Sequence, residues 1–141
     1  MQIMNIQMPP CVTTTLSLSG DAFDPDELTS VIGVEPTQIW RQERRYIKEL
    51  VPDSELIAWR HHRHKCAAWS LGEAVEAALS VIWEKKDAVR AFAENHGVTV
   101  HVACRPYGDA SVIIYSMHAQ AIQRLAFFNA TLSLPIYKSE L

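Results

Sequence analysis

The densest run of reactive side chains is Trp59-Arg60-His61-His62-Arg63-His64-Lys65-Cys66. In an extended segment alternate side chains share a face, which would bring His62, His64 and Cys66 together. Imidazole and thiolate at that spacing can bind zinc, nickel or copper. A structural zinc site usually takes four ligands, however, and no second ligand pair with a fixed spacing is visible in the chain. Arg60, Arg63 and Lys65 also raise the cost of seating a divalent cation there. A solvated hairpin with adventitious metal affinity accounts for the same residues, so His62, His64 and Cys66 stand as metal candidates behind that plainer reading.

The same stretch reads as an anion site when it is taken with the residues before it. Arg41, Arg44, Arg45, Arg60 and Arg63 are interleaved with Trp40, Tyr46 and Trp59. Guanidinium groups pair with carboxylate or phosphate, and aromatic faces accept stacking. A formal charge of -3 weighs against a nucleic-acid partner. Trp, Tyr and Arg dominate protein interfaces, so the expected contact set for a protein partner is Trp40, Arg41, Arg44, Arg45, Trp59, Arg60 and Arg63. The competing reading has Trp40 and Trp59 covering a sheet edge, because large aromatics are mostly buried.

Other groups have a structural explanation nearer to hand. Asp21, Asp24, Asp26 and Glu27 resemble an acid/base pair or a magnesium site, but Asp24 before Pro25, with Glu27 three places on, is the pattern of a capped helix start. Carboxylates in a first helical turn gain about 0.3 to 1 kcal/mol each from the dipole and the free amides. Cys66 and Cys104 lack a local thiol-hydrolase arrangement, although His101 lies on the same expected strand as Cys104. His96 before Gly97 suits a helix end, and His118 a helix start. The chain contains no Gly-rich phosphate loop, nucleophile elbow or zinc-protease motif.

Several elements would position these groups. Val12 to Leu18 alternates as a strand, with Val12, Thr14, Leu16 and Leu18 on one side. A helix follows from Asp24 to Ile32 and is stopped by Gly33 and Pro36. A second strand is expected at Thr37 to Arg44, then a long polar connection from Arg45 to His64, then strand character from Ala67 to Leu71. Ser70 with Glu73 opens a helix running to about Asn95, with Val75, Leu79, Ile82, Val89 and Phe92 on its apolar face. Val98 to Cys104 and Ala110 to Ser116 form an expected hairpin, followed by a helix from His118 to Ala130 and a strand from Leu134 to Lys138. A weak self-similarity sets Leu16 on Ile113, Leu28 on Leu125 and Trp40 on Tyr137, although periodicity alone generates such overlaps. The expected class is α+β: an antiparallel or mixed sheet with about three helices, built from strand-helix-strand units as in ferredoxin-like split βαβ folds, with a possible internal pseudo-repeat.

Composition agrees with one ordinary domain: 141 residues, 48% hydrophobic and 21% charged, enough to bury a core without metal or disulfide staples. Residues 1–10, ending in Pro9-Pro10, read as a loose N-terminal arm, and 11–141 as a single domain. Three unpaired cysteines and the lack of an export-like N-terminus suggest a reducing cytoplasm. No apolar run approaches a membrane span. Residues 1–36 hold five acids and no Lys or Arg, whereas residues 37–66 hold seven bases against four acids. Such asymmetry orients a domain toward a charged partner, although charge runs commonly just face water.

The segment Gly20, Asp24-Pro25, Leu28-Thr29, Ile32-Gly33-Val34 and Pro36, with Trp69-Ser70-Leu71 and Ile136-Tyr137, resembles the bacterial domain-of-unknown-function family 4279 over most of the chain. The resemblance implies a compact bacterial α+β domain and carries no catalytic residue. The Arg- and His-laden segment from Trp59 to Cys66 departs from that pattern. With no convergent catalytic set, the expected function is a non-enzymatic protein-binding module without a cofactor. An immunity or antitoxin role is suggested only by the type of family. Nucleic acid and membrane are not expected partners, and a homodimer is open. The alternative is a small metal- or anion-binding enzyme or sensor using segment 59–66.

Overall fold

In a computed structural model, the described residues are 10–43, 55–106 and 115–134. The expected contacts Arg44 and Arg45, residues 110–114 of the expected second hairpin strand and most of the expected closing strand lie outside them. So do residues 110–114 and 135–137 of the second unit of the proposed repeat.

The first strand, β1 (Cys11–Asp21), alternates as expected: Val12, Thr14, Leu16 and Leu18 are buried, and the residues between them are half-buried. Helix α1 (Pro25–Ile32) begins where Asp24 caps it. The Asp24 Oδ1 accepts from the backbone N–H of Asp26 at 2.9 Å, one residue earlier than the capping box anticipates. Gly33 closes the helix in the left-handed conformation, φ 79°, which residues with a Cβ adopt only at a cost. The acids near position 24 therefore start a helix. Gly20 meets a different constraint, since a Cβ there would stand 3.0 Å from the Gly97 carbonyl oxygen.

Strand β2 (Gln38–Glu43) pairs antiparallel with β3 (Glu55–Ala67). The second half of the expected polar connection is thus a 13-residue strand in the sheet. Ala67 ends that strand, and helix α2 (Leu71–Trp83) begins at once with Ser70 as its cap. The backbone N–H of Glu73 donates to Ser70 Oγ at 3.2 Å, as the sequence pattern implies. The single long helix expected next is two, α2 and α3 (Lys86–His96), with a break at Glu84 and Lys85. The break lets α3 pack Phe92 edge-on against Phe23, 6.1 Å between centroids, beside α1. Strand β4 (Thr99–Pro106), helix α4 (Ala119–Phe127) and the short β5 (Thr131–Ser133) complete the described elements.

The sheet order is β2-β3-β1-β4-β5. Because β3 is antiparallel to both β1 and β2, those two run parallel with β3 between them. By the same logic β3 and β4 run parallel with β1 between them. These are two interleaved split βαβ units, the ferredoxin-like arrangement. The β5 strand is added parallel to β4. Leu28, Val75, Leu79, Ile82 and Val89 from the helices close on Leu16, Leu18, Trp59, Val100 and Val102 from the strands in one core. None of the four described helices packs on the other face of the sheet.

Candidate functional site

Strand geometry divides the cationic run of β3 between two environments. Leu18 lies opposite Trp59, Leu16 opposite His61, and Thr14 opposite Arg63. Directly opposed residues project to the same side, so Trp59, His61 and Arg63 face the helices. Ser19, Ser17 and Thr15 oppose Ala58, Arg60 and His62, which therefore occupy the helix-free face. Between Val12 and Thr14 the register shifts, so that His64 and Lys65 together oppose Thr13. This β-bulge resets the alternation.

The bulge corrects the metal expectation. Cys66 pairs with Val12 and lies on the core side, lining a water-sized cavity with Thr14 and Arg63. His62 and His64 stack on the opposite face, 5.6 Å between ring centroids. The three expected ligands are thus not brought together, and among the described residues no group of three His, Cys, Asp or Glu is placed to hold a metal. Cys104 and His101 are separated in the same way, since three residues along a strand reverse the face. Burial pushes the Cys104 thiol up to about 12, which leaves it un-ionised at neutral pH and a poor nucleophile.

The expected partner set also divides. Trp59 is fully buried, and its Nε1–H donates to Thr29 Oγ1 at 3.0 Å. It is a core residue and presents nothing to a partner. Arg41 pairs with Glu55 at 3.0 Å near the end of β2, and Arg63 is half-buried on the helix side. Only Trp40 and Arg60 of the described set share the helix-free face, where the guanidinium lies 5.3 Å from the indole centroid. At that distance the pair gains about 0.5 to 1 kcal/mol from cation–π attraction and holds the Arg side chain over the sheet.

Residues outside the expected partner and metal sets complete this face. Thr13, Thr15, Ser17 and Ser19 form a hydroxyl row along β1, with His101 beside Ser17. The Thr15 hydroxyl and His62 Nδ1 are 2.9 Å apart. His101 is held between Thr131 and Ser133 of β5, 2.9 Å from the Ser133 hydroxyl. The signal was the polar half of the alternation in β1, the complement of the apolar half that marks the core. Along the described strands this face carries Arg60, His62, His64, His101 and Arg105, and its carboxylate is Asp21 at the far end of β1. Among the described residues it is a polar, acid-poor surface with one large aromatic.

Three histidines are less basic than usual. Burial lowers His62, helped by His64, Arg60 and His61. Burial alone lowers His101, and burial with Arg63 lowers His61, whose Nδ1 is buried without a partner. A histidine that binds its proton more weakly when folded contributes stability above its unfolded pKa of about 6.5 and loses it as pH falls toward the lower folded value. The melting temperature is therefore expected to drop between pH ~7 and ~5.5, ahead of carboxylate protonation. The triple variant His61→Gln, His62→Gln, His101→Gln should flatten that slope. A melting temperature that rises across this window would contradict the assignment.

The model of the family described as a domain of unknown function, DUF4279, matches residues 10–139. The chain belongs to the DUF4279 family. No curated protein and no solved structure matches it. Within this DUF4279 domain the described motif residues are scaffold: Asp24 and Ser70 cap helices, Gly20 admits the α3–β4 turn, and Thr29 joins α1 to the buried Trp59. The Thr29 hydroxyl donates to the Pro25 carbonyl at 3.0 Å while accepting from Trp59. No described helix of the DUF4279 domain is long and apolar enough to cross a membrane.

Proposed function

We propose that this domain is a non-enzymatic protein-binding module that uses the helix-free face of its sheet to occlude an acidic surface on a partner, as an immunity or antitoxin protein would. The observation that carries this reading is the composition of that face among the described residues: Trp40 held beside Arg60, with His62, His64 and His101 across β3 and β4 and the carboxylate of Asp21 at its corner. Opposite potentials steer encounter and exclude wrong partners. Trp and Arg supply the anchor types that dominate binding energy. A single-stranded nucleic acid fits less well, because such partners use several stacking aromatics and a strongly basic groove. Among the described residues the face has one large aromatic ring, and burial makes His62 and His101 bind their protons more weakly than usual. The test is retention of proteins from native host extract by the wild type and by Arg60→Glu. Loss of the captured protein from the variant supports the proposal; equal recovery refutes it.

A further inference from the structure

On the helical side of the domain, the last turns of α3 and α4 and the start of β4 enclose a groove of about 600 Å³, within the size range of small-molecule sites. One wall is aromatic and rigid. Phe128, 6% exposed, stands edge-on to Phe127 with 5.1 Å between centroids and edge-on to Trp83 at 5.9 Å. The facing wall carries Arg90 and Glu94 on one side of α3, four residues apart, so that they are neighbours. Arg90 Nε donates to Glu94 Oε1 at 3.1 Å, and its guanidinium lies 4.9 Å from the Phe127 ring centroid.

This wall offers one cation and one anion a hydrogen bond apart, both open to solvent, beside two fixed rings. A complementary ligand carries an ammonium and a carboxylate equally close together, with a ring attached. A simple amine would leave Arg90 without a new acceptor, and a simple carboxylate would leave Glu94 without a new donor. The two ends of a peptide are too far apart to address both groups. An α-amino acid carries both charges on one carbon, and a guanidinium accepts a carboxylate in bidentate fashion.

We propose that the groove between α3 and α4 is a binding site for a free α-amino acid with an aromatic side chain, its carboxylate on Arg90, its ammonium on Glu94 and its ring against Phe127 and Phe128. The site lies away from the sheet face and goes beyond the partner-binding reading, so either stands if the other fails. The experiment titrates L-phenylalanine into isotopically labelled protein and follows the backbone amides of Gly97, Thr99 and Asn129, which border the groove. The single-charge probes 2-phenylethylamine and 3-phenylpropanoate serve as comparisons. Saturable shifts with L-phenylalanine are expected, with each comparison compound about tenfold weaker. Glu94→Gln, at a solvent-exposed position, should weaken L-phenylalanine about tenfold and leave 3-phenylpropanoate unchanged. Absence of saturable shifts at these amides, equal affinity for the three compounds, or unchanged L-phenylalanine affinity in Glu94→Gln would overturn the proposal.

Discussion

Replacing Trp59 by Ala is expected to destabilise the domain by about 3 to 5 kcal/mol, a large part of the ~5 to 15 kcal/mol that holds a typical domain folded. The side chain projects from β3 toward the helices, is fully buried, and packs with Leu18 and the helix layer in the core. Removing it opens a cavity that rigid neighbours fill only in part, so the cost exceeds the transfer energy of the lost atoms. The indole N–H also satisfies Thr29 Oγ1 at 3.0 Å, which ties α1 to β3. Trp59→Phe restores most of the volume but not this donor, and should recover all but about 1 to 2 kcal/mol. Chemical denaturation of the three proteins measures both numbers. A loss below about 0.5 kcal/mol for the Ala variant would be the behaviour of a surface residue and would return Trp59 to the partner-contact set.

Reversing charge at Arg60 should have the opposite profile: a large effect on capture and a small one on stability. The guanidinium sits near the middle of the acid-poor face, and among the described residues it has no ion-pair partner, only the Trp40 ring. Close charge pairs across interfaces couple by about 1.5 to 7 kcal/mol, so Arg60→Glu should weaken capture of an acidic partner about a hundredfold or more. Its stability cost is limited to the lost cation–π contact, about 0.5 to 1 kcal/mol. Arg41→Glu is the control. Arg41 projects to the other side of the sheet and is paired with Glu55 in an exposed salt bridge, a type of contact that contributes about 0 to 1 kcal/mol. Capture measured for both variants separates a located face from a general need for positive charge. Equal losses in the two would point to net charge alone.

Local signals in the sequence were read well, because they rest on chemistry between near neighbours. Asp24 with Pro25, Gly33, and Ser70 with Glu73 name helix ends whatever the rest of the chain does. The split βαβ architecture followed from the order of such elements. Strand β3 was half hidden because Arg60, His61, His62, Arg63 and His64 are polar on both faces, so no alternation announces a strand; its place is set by pairing with β1 and β2. The α2–α3 break has no Gly or Pro to signal it, and packing of Phe92 against Phe23 decides it instead. The candidate site was legible only in part for the same reason. A one-residue bulge at His64 and Lys65 moves Cys66 to the core side, and its position depends on the partner strand. The face itself was implicit in Thr13, Thr15, Ser17 and Ser19, the half of the β1 pattern that carries no core residue.

The account turns on which side of the sheet meets the partner. A photoreactive amino acid at Ser17, central on the helix-free face, and one at Ser80, exposed on α2, can be activated in the native host and their adducts compared. A single dominant protein adduct from Ser17 and none of that species from Ser80 is the predicted result. The same adduct from Ser80 alone would place the contact on the helical side and contradict the account.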